Sequence, residues 1–130
     1  MAPTLTAHYA AALGVMMIVL GAQVIVMRAR TGISILDGGN MALAESMRRH
    51  GNFIENVPMA LILMGLAEVQ GAPAMLLHGV GIALIAGRIL HATGIDHQKP
   101  ANPARIVGAT LTTLSMLATI AFIAWRAVSG

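Results

Sequence analysis

Positions 45 to 56 hold Glu45, Arg48, Arg49, His50, Asn52, Glu55 and Asn56, and the chain then runs straight into the apolar stretch from Val57 to Ala67. No other segment is as densely polar. Glu45, Arg48, Asn52 and Glu55 are spaced three, four and three apart, so on a helix they fall within an arc of about 80°. Glu55 stands about 10.5 Å above Arg48 by helix rise, roughly the length of an extended tripeptide. A cation, an amide and an anion along such a face suit a zwitterionic, peptide-like ligand. The plainer reading is that Arg48 and Glu55 pair with neighbouring helices and Asn52 joins the bundle. It competes less well for four polar residues on one arc than for one. A charge near a bilayer centre costs about 2.5 to 3.5 kcal/mol even on lenient scales, and several together persist where a wet or ligand-filled site uses them. Pro58 follows directly and frees the carbonyl of Ile54, which places a kink beside the stripe.

Other basic residues recur near the same level. Arg88 and His91 lie three apart on one face of the third apolar segment, Arg105 opens the fourth, and Arg28 and Arg30 end the first. Anchoring to phosphate headgroups explains any one of them, whereas convergence from four helix ends favours a site. His50, His91, Asp96 and His97 show no paired ligand spacing such as H-x-x-x-H, so no metal site is expected. The chain has no cysteine, which excludes disulfides, thiolate metal sites and a cysteine nucleophile; any thiol must come with a ligand.

These residues need scaffolding, and composition says what kind. Of 130 residues, 57% are hydrophobic and 10% charged. The mean hydropathy is +0.78. Such a chain has too little polar surface to cover a soluble domain, so lipid is its solvent. The formal charge of +3 rests on scattered basic residues with only one Trp, one Tyr and two Phe, which gives neither a phosphate stripe nor a stacking platform for nucleic acid. No linker or low-complexity run divides it, so a single domain is expected.

The fold expected is all-α, an integral membrane four-helix bundle with helices at about 6–30, 41–70, 73–95 and 104–127. In the first, Arg28 and Arg30 follow the apolar run and nothing basic precedes it, so a retained membrane helix is expected rather than a cleaved signal peptide. Asn40 is placed to cap the second helix, which Gly71 ends. That helix is longer than a bilayer core requires, so its first half protrudes or lines something polar. Gly79, Ala83 and Gly87, four apart, predict a close helix contact. The hydroxyls of Thr110, Thr112, Thr113, Ser115 and Thr119 can bond to the preceding turn and leave helix four insertable. Arg28, Arg30, Arg48, Arg49, Arg88, Lys99 and Arg105 cluster at one end against Arg126 at the other, which puts both polar loops in the cytoplasm and both termini outside. Tyr9 and Trp125 then form an outer aromatic belt, His8 and His78 are interfacial, and Glu68 and Gln70 form a solvated helix end.

The stripe reads R-x-H-x-N-x-x-E-x-x-P at Arg48, His50, Asn52, Glu55 and Pro58, and resembles the signature of the membrane-associated proteins in eicosanoid and glutathione metabolism, the MAPEG family. Val26-Met27-Arg28-Ala29-Arg30 and Arg88-Ile-Leu-His91 are similar to that family as well. Asp37-Gly38-Gly39 and His50-Gly51-Asn52 are most similar to its small bacterial branch. The resemblance implies a homotrimer in the inner (plasma) membrane, with glutathione bound between adjacent subunits near the cytoplasmic side. Arg48, Asn52 and Glu55 would hold the tripeptide, with Glu55 facing its amino group and His50, Arg88 and His91 close by. Arg105 resembles the arginine that stabilises the glutathione thiolate, and Arg28 would come from the neighbouring subunit. A free thiol of pKa ~8.5 is mostly protonated at neutral pH, and a guanidinium in a low-dielectric pocket lowers that value and creates the nucleophile. One turn beyond His91, where several eukaryotic members carry a tyrosine, this chain has Ile95.

The function implied is a membrane-bound glutathione-dependent transferase or peroxidase acting on hydrophobic electrophiles or lipid peroxides that enter from the bilayer. Two alternatives stand beside it: a non-catalytic lipid- or glutathione-binding membrane protein, and a small exporter with Glu55 as proton-coupled carboxylate. A bare coupling carboxylate would not need Arg48 and Asn52 on its face, which weakens the exporter.

Overall fold

The computed structural model describes residues 2–129 and, among them, four helices and no strand. The helices are α1 (Thr4–Thr31), α2 (Met41–Val69), α3 (Ala74–Thr93) and α4 (Pro103–Ser129), each long and apolar enough to cross a membrane. Short connections make successive helices antiparallel. Thr6 of α1 meets Glu68 of α2, Arg49 of α2 meets Ala92 of α3, and Gly87 of α3 meets Gly108 of α4.

Two small apolar clusters hold the bundle. Leu13, Leu20, Phe53, Val57, Ala60, Leu84 and Ala92 form one, and Met64, Leu77 and Val80 the other. Much of the remaining apolar surface faces outward: Ile18 is 68% exposed, Ile25 70% and Met75 86%. In water such exposure would be untenable across four helices; against lipid tails it costs nothing.

The helix ends show how the sequence stops and starts each span. Asn40 caps α2 as expected, its side chain accepting from the Leu43 amide at 3.0 Å. Gly71 turns the chain at φ +85°, and Pro73 precedes α3. The start of α1 has no side-chain cap of its own. Instead Glu68, at the far end of α2, accepts from the amides of Leu5 (2.8 Å) and Thr6 (2.7 Å). The expectation of a solvated Glu68 is therefore corrected, since the residue is only 5% exposed. Orphan amides with a positive end-dipole attract a carboxylate wherever the chain can deliver one.

On α4, Thr110, Thr112, Ser115 and Thr119 each donate to the carbonyl four residues back, so their hydroxyls cost the bilayer nothing. The close α3–α4 approach uses Gly87 but not Gly79. A Cβ on Gly87 would lie 2.9 Å from the Gly108 carbonyl oxygen, whereas one on Gly79 meets nothing within 4 Å. Gly108 and Gly94 complete the contact: a Cβ on Gly108 would run into the His91 backbone nitrogen, and one on Gly94 into that of Arg105. The contact is thus shifted toward the end of α3 where Arg88, His91 and Arg105 sit.

Candidate functional site

Asn52 and Arg88 join α2 to α3. Arg88 donates from Nη1 to Asn52 Oδ1 at 2.8 Å, and Asn56 donates to the Asn52 carbonyl at 2.8 Å. Arg88 is only 3% exposed. Its Nε has no hydrogen-bond partner. Among the described residues the ion pairs are Arg48–Glu55, Arg49–Glu45 and His97–Glu45, none of which includes Arg88. A guanidinium taken out of water with only the neutral oxygens of one asparagine as partners is a costly arrangement, and an anion from outside the chain would complete it.

Beside this pair lies a cleft of about 90 Å³ lined by Arg48, Asn52, His91, Ile95 and Arg105. α2, α3 and α4 each contribute a basic side chain to it, those of α3 and α4 placed by the Gly87, Gly94 and Gly108 contacts. His91 is 6% exposed, while Arg48 and Arg105 reach the surface. Arg105 donates to the Pro100 carbonyl at 3.3 Å. Arg48 faces Glu55 at 3.7 Å, with side chains 63% and 55% exposed. A pair so open is worth little and can separate to meet a ligand. The cleft is smaller than the ~300 Å³ at which small-molecule pockets begin, so a tripeptide would extend over the open Arg48–Glu55 side, beyond the single chain.

Arg48, Asn52, Glu55, Arg88, His91 and Arg105 are thus brought together within one chain. Three other expected residues are not. His50 points the other way, its Nε2 lying 3.4 Å from where a Cβ on Gly21 of α1 would be. Arg28 binds the first loop, donating to the carbonyls of Ile33 (3.1 Å) and Leu36 (3.0 Å) and to Met47 Sδ. Glu45 lies on the same arc as the stripe yet turns to the loop after α3, where Oε1 accepts from the backbone amide (2.8 Å) and ring Nδ1 (2.6 Å) of His97. Convergence from four helix ends becomes convergence from three within the chain.

Arg49 is the residue that the sequence pattern did not single out. It donates to the carbonyls of Ala92 (3.0 Å) and Ile95 (2.8 Å) and pairs with Glu45 at 3.3 Å. The signal available was its i,i+4 spacing from Glu45. Glu45, Asp96 and His97 also gather ligand atoms within 4.8 Å of one another. Glu45 is already satisfied there by His97 and Arg49, and neighbouring Arg48 and Arg105 oppose a cation, so the group serves as a loop clasp.

The chain is 33% identical over 93 residues to "Inner membrane protein YecN" from two Escherichia coli strains, covering 72% of this chain and 71% of each relative. No solved structure matches it significantly. Residues 6–125, which span all four helices and every residue of the cleft, match the MAPEG family, and the chain belongs to it.

Proposed function

We propose that the protein is a glutathione-dependent transferase or peroxidase of the inner membrane, acting on hydrophobic electrophiles or lipid peroxides. The observation that carries this reading is Arg88, a buried guanidinium without a carboxylate partner beside a cleft that collects Arg48, His91 and Arg105. Glutathione offers two carboxylates and an ionisable thiol to that cationic cleft, and an ammonium to Glu55. The small volume of the cleft supports a ligand shared between protomers of a homotrimer, where Arg28 of one subunit would face the cleft of the next. The relatives' name supports the inner membrane, and the charge distribution supports cytoplasmic loops with both termini outside.

In the mechanism, Arg48, Asn52 and Glu55 hold the peptide and Arg105 faces the sulfur. Its cation favours thiolate over thiol, and the low-dielectric surroundings strengthen that effect. In a transfer reaction the thiolate attacks the electrophilic carbon, a carbon–sulfur bond forms, and the electron pair leaves with the departing group or takes a proton. Arg105→Ala is expected to leave glutathione affinity within a few fold and to raise the bound thiol's pKa toward ~8.5, read from a pH titration of the ultraviolet thiolate band.

Calorimetric titration of the detergent-purified protein with glutathione tests the reading. Binding is expected in the wild type, with loss in Arg48→Ala and Glu55→Gln while the oligomer stays assembled. No binding in the wild type, or loss of assembly in both variants, would sink it. A second reading, binding without turnover, draws support from Ile95, which puts an alkyl group on the cleft wall. Saturable binding with no conjugation of a model electrophile would establish that one. A reporter fused after Gly130 that works only in the cytoplasm would contradict the topology.

A further inference from the structure

We propose that Glu45 and Arg49 form a positioning latch that sets the placement of Arg105 over the cleft, and with it the reactivity of the bound thiol. This rests on the reading of the cleft as a glutathione site.

Both residues lie on α2, one turn apart, and together they grip the segment that leaves α3. Arg49 takes the carbonyls of Ala92 and Ile95, which the end of α3 leaves without intrahelical partners. A cation at a helix C-terminus is also favoured by the helix dipole. Glu45 takes the amide and ring of His97 two residues further on. The 3.3 Å contact between Arg49 and Glu45 makes one unit of the two grips. Between the two carbonyls that Arg49 takes is Gly94, which packs so closely on Arg105 that a Cβ would collide with the Arg105 backbone nitrogen and lie 2.8 Å from its Cα. The first turn of α4 therefore rests on a segment whose position α2 dictates.

Arg105 has little else to hold it. Its side chain is exposed and has a single 3.3 Å bond, to Pro100 within its own loop. Arg48, on the opposite wall of the cleft, belongs to the same helix as the latch. Both walls are thus referenced to α2, with Arg49 and Glu45 adding to the Gly87 and Gly108 contacts that pack α4 on α3. A planar guanidinium can serve two carbonyls and a carboxylate at once, which an ammonium on a flexible stem does poorly.

The test uses the full chain in detergent with glutathione, and reads the ultraviolet thiolate band against pH together with amide hydrogen exchange over residues 94–105. Arg49→Gln is expected to speed exchange there and to keep glutathione affinity within about threefold. It should raise the thiol titration midpoint by ~1 unit and cut turnover near neutral pH by roughly tenfold, with recovery at higher pH. Arg49→Lys is expected to restore less than half of that loss. The double variant Arg49→Gln/Arg105→Ala should be no worse than Arg105→Ala alone, because a positioning residue has nothing left to position. If the wild type titrates low and Arg49→Gln leaves the midpoint unchanged, or if the two losses add, the latch is overturned and the glutathione site stands. If exchange changes but the wild type forms no thiolate band, the glutathione reading fails and carries the proposal with it.

Discussion

The bundle buries one carboxylate and one guanidinium at opposite ends, and the two are treated differently. Glu68 is 5% exposed and both its oxygens accept from the start of α1, at 2.8 and 2.7 Å. Arg88 is 3% exposed and is met only by the two oxygens of Asn52, the side-chain one at 2.8 Å and the backbone one at 3.5 Å, with its Nε left over. A charge buried with partners to spare is scaffolding, since the chain itself supplies what desolvation removed. A charge buried with too few is a demand that something outside the chain must answer.

Removing each partner in turn sharpens that contrast. The largest effect is expected for Glu68→Ala, which strands two α1 amides and loses two charge-assisted bonds, at about 3 kcal/mol of stability. Thermal unfolding in detergent should show the loss and calorimetry should show glutathione binding intact; weakened binding with unchanged stability would reverse the assignment. Arg88→Met should lower glutathione affinity by about tenfold while changing stability by less than ~1.5 kcal/mol, because relief of a buried charge offsets the bond lost by Asn52. A collapse in melting temperature comparable to that of Glu68→Ala would make Arg88 scaffolding too. Gly108→Ala and Gly79→Ala ask whether packing differs between the ends as charge does. The first should cost about 1 to 3 kcal/mol because the new methyl meets the His91 backbone, and the second close to nothing. The smallest effect is expected for Tyr9→Phe, which deletes the 2.8 Å hydrogen bond to His78 at the Glu68 end. It should cost under ~1 kcal/mol in unfolding experiments and leave ligand binding untouched.

Much of this was readable before the fold was. Apolar run lengths mark the four spans, Asn40 marks a helix start by its own chemistry, and the hydroxyls of Thr110, Thr112, Ser115 and Thr119, though not that of Thr113, bond back within one turn. Those features depend on neighbours a few residues away. The stripe was legible for the same reason, because three- and four-residue spacings alone put Arg48, Asn52 and Glu55 on one face. What spacing cannot supply is the partner brought by tertiary return of the chain. Glu45 shares the arc with Asn52, yet the loop after α3 comes back within reach and turns it aside. Glu68 meets amides 62 and 63 residues away in sequence, which no local pattern announces. Gly79 and Gly87 match the same small-residue motif, and only the glycine opposite, Gly108, decides which of them is used. His50 and Arg28 match the family motif but face away from the cleft, towards Gly21 and the first loop, since a motif fixes residue identity and not the direction of a side chain.

The bond between Glu68 and the start of α1 also orders events in time. During synthesis the first turn of α1 leaves the ribosome long before residue 68 exists, so its amides begin life without the carboxylate that satisfies them. Helix one can enter the bilayer by itself, but its leading end stays frayed until α2 has been made and threaded back alongside it. Of the four helices described, α1 and α2 are therefore the first pair able to close on each other. Helices three and four then join a pair whose seam at Glu68 can already be sealed.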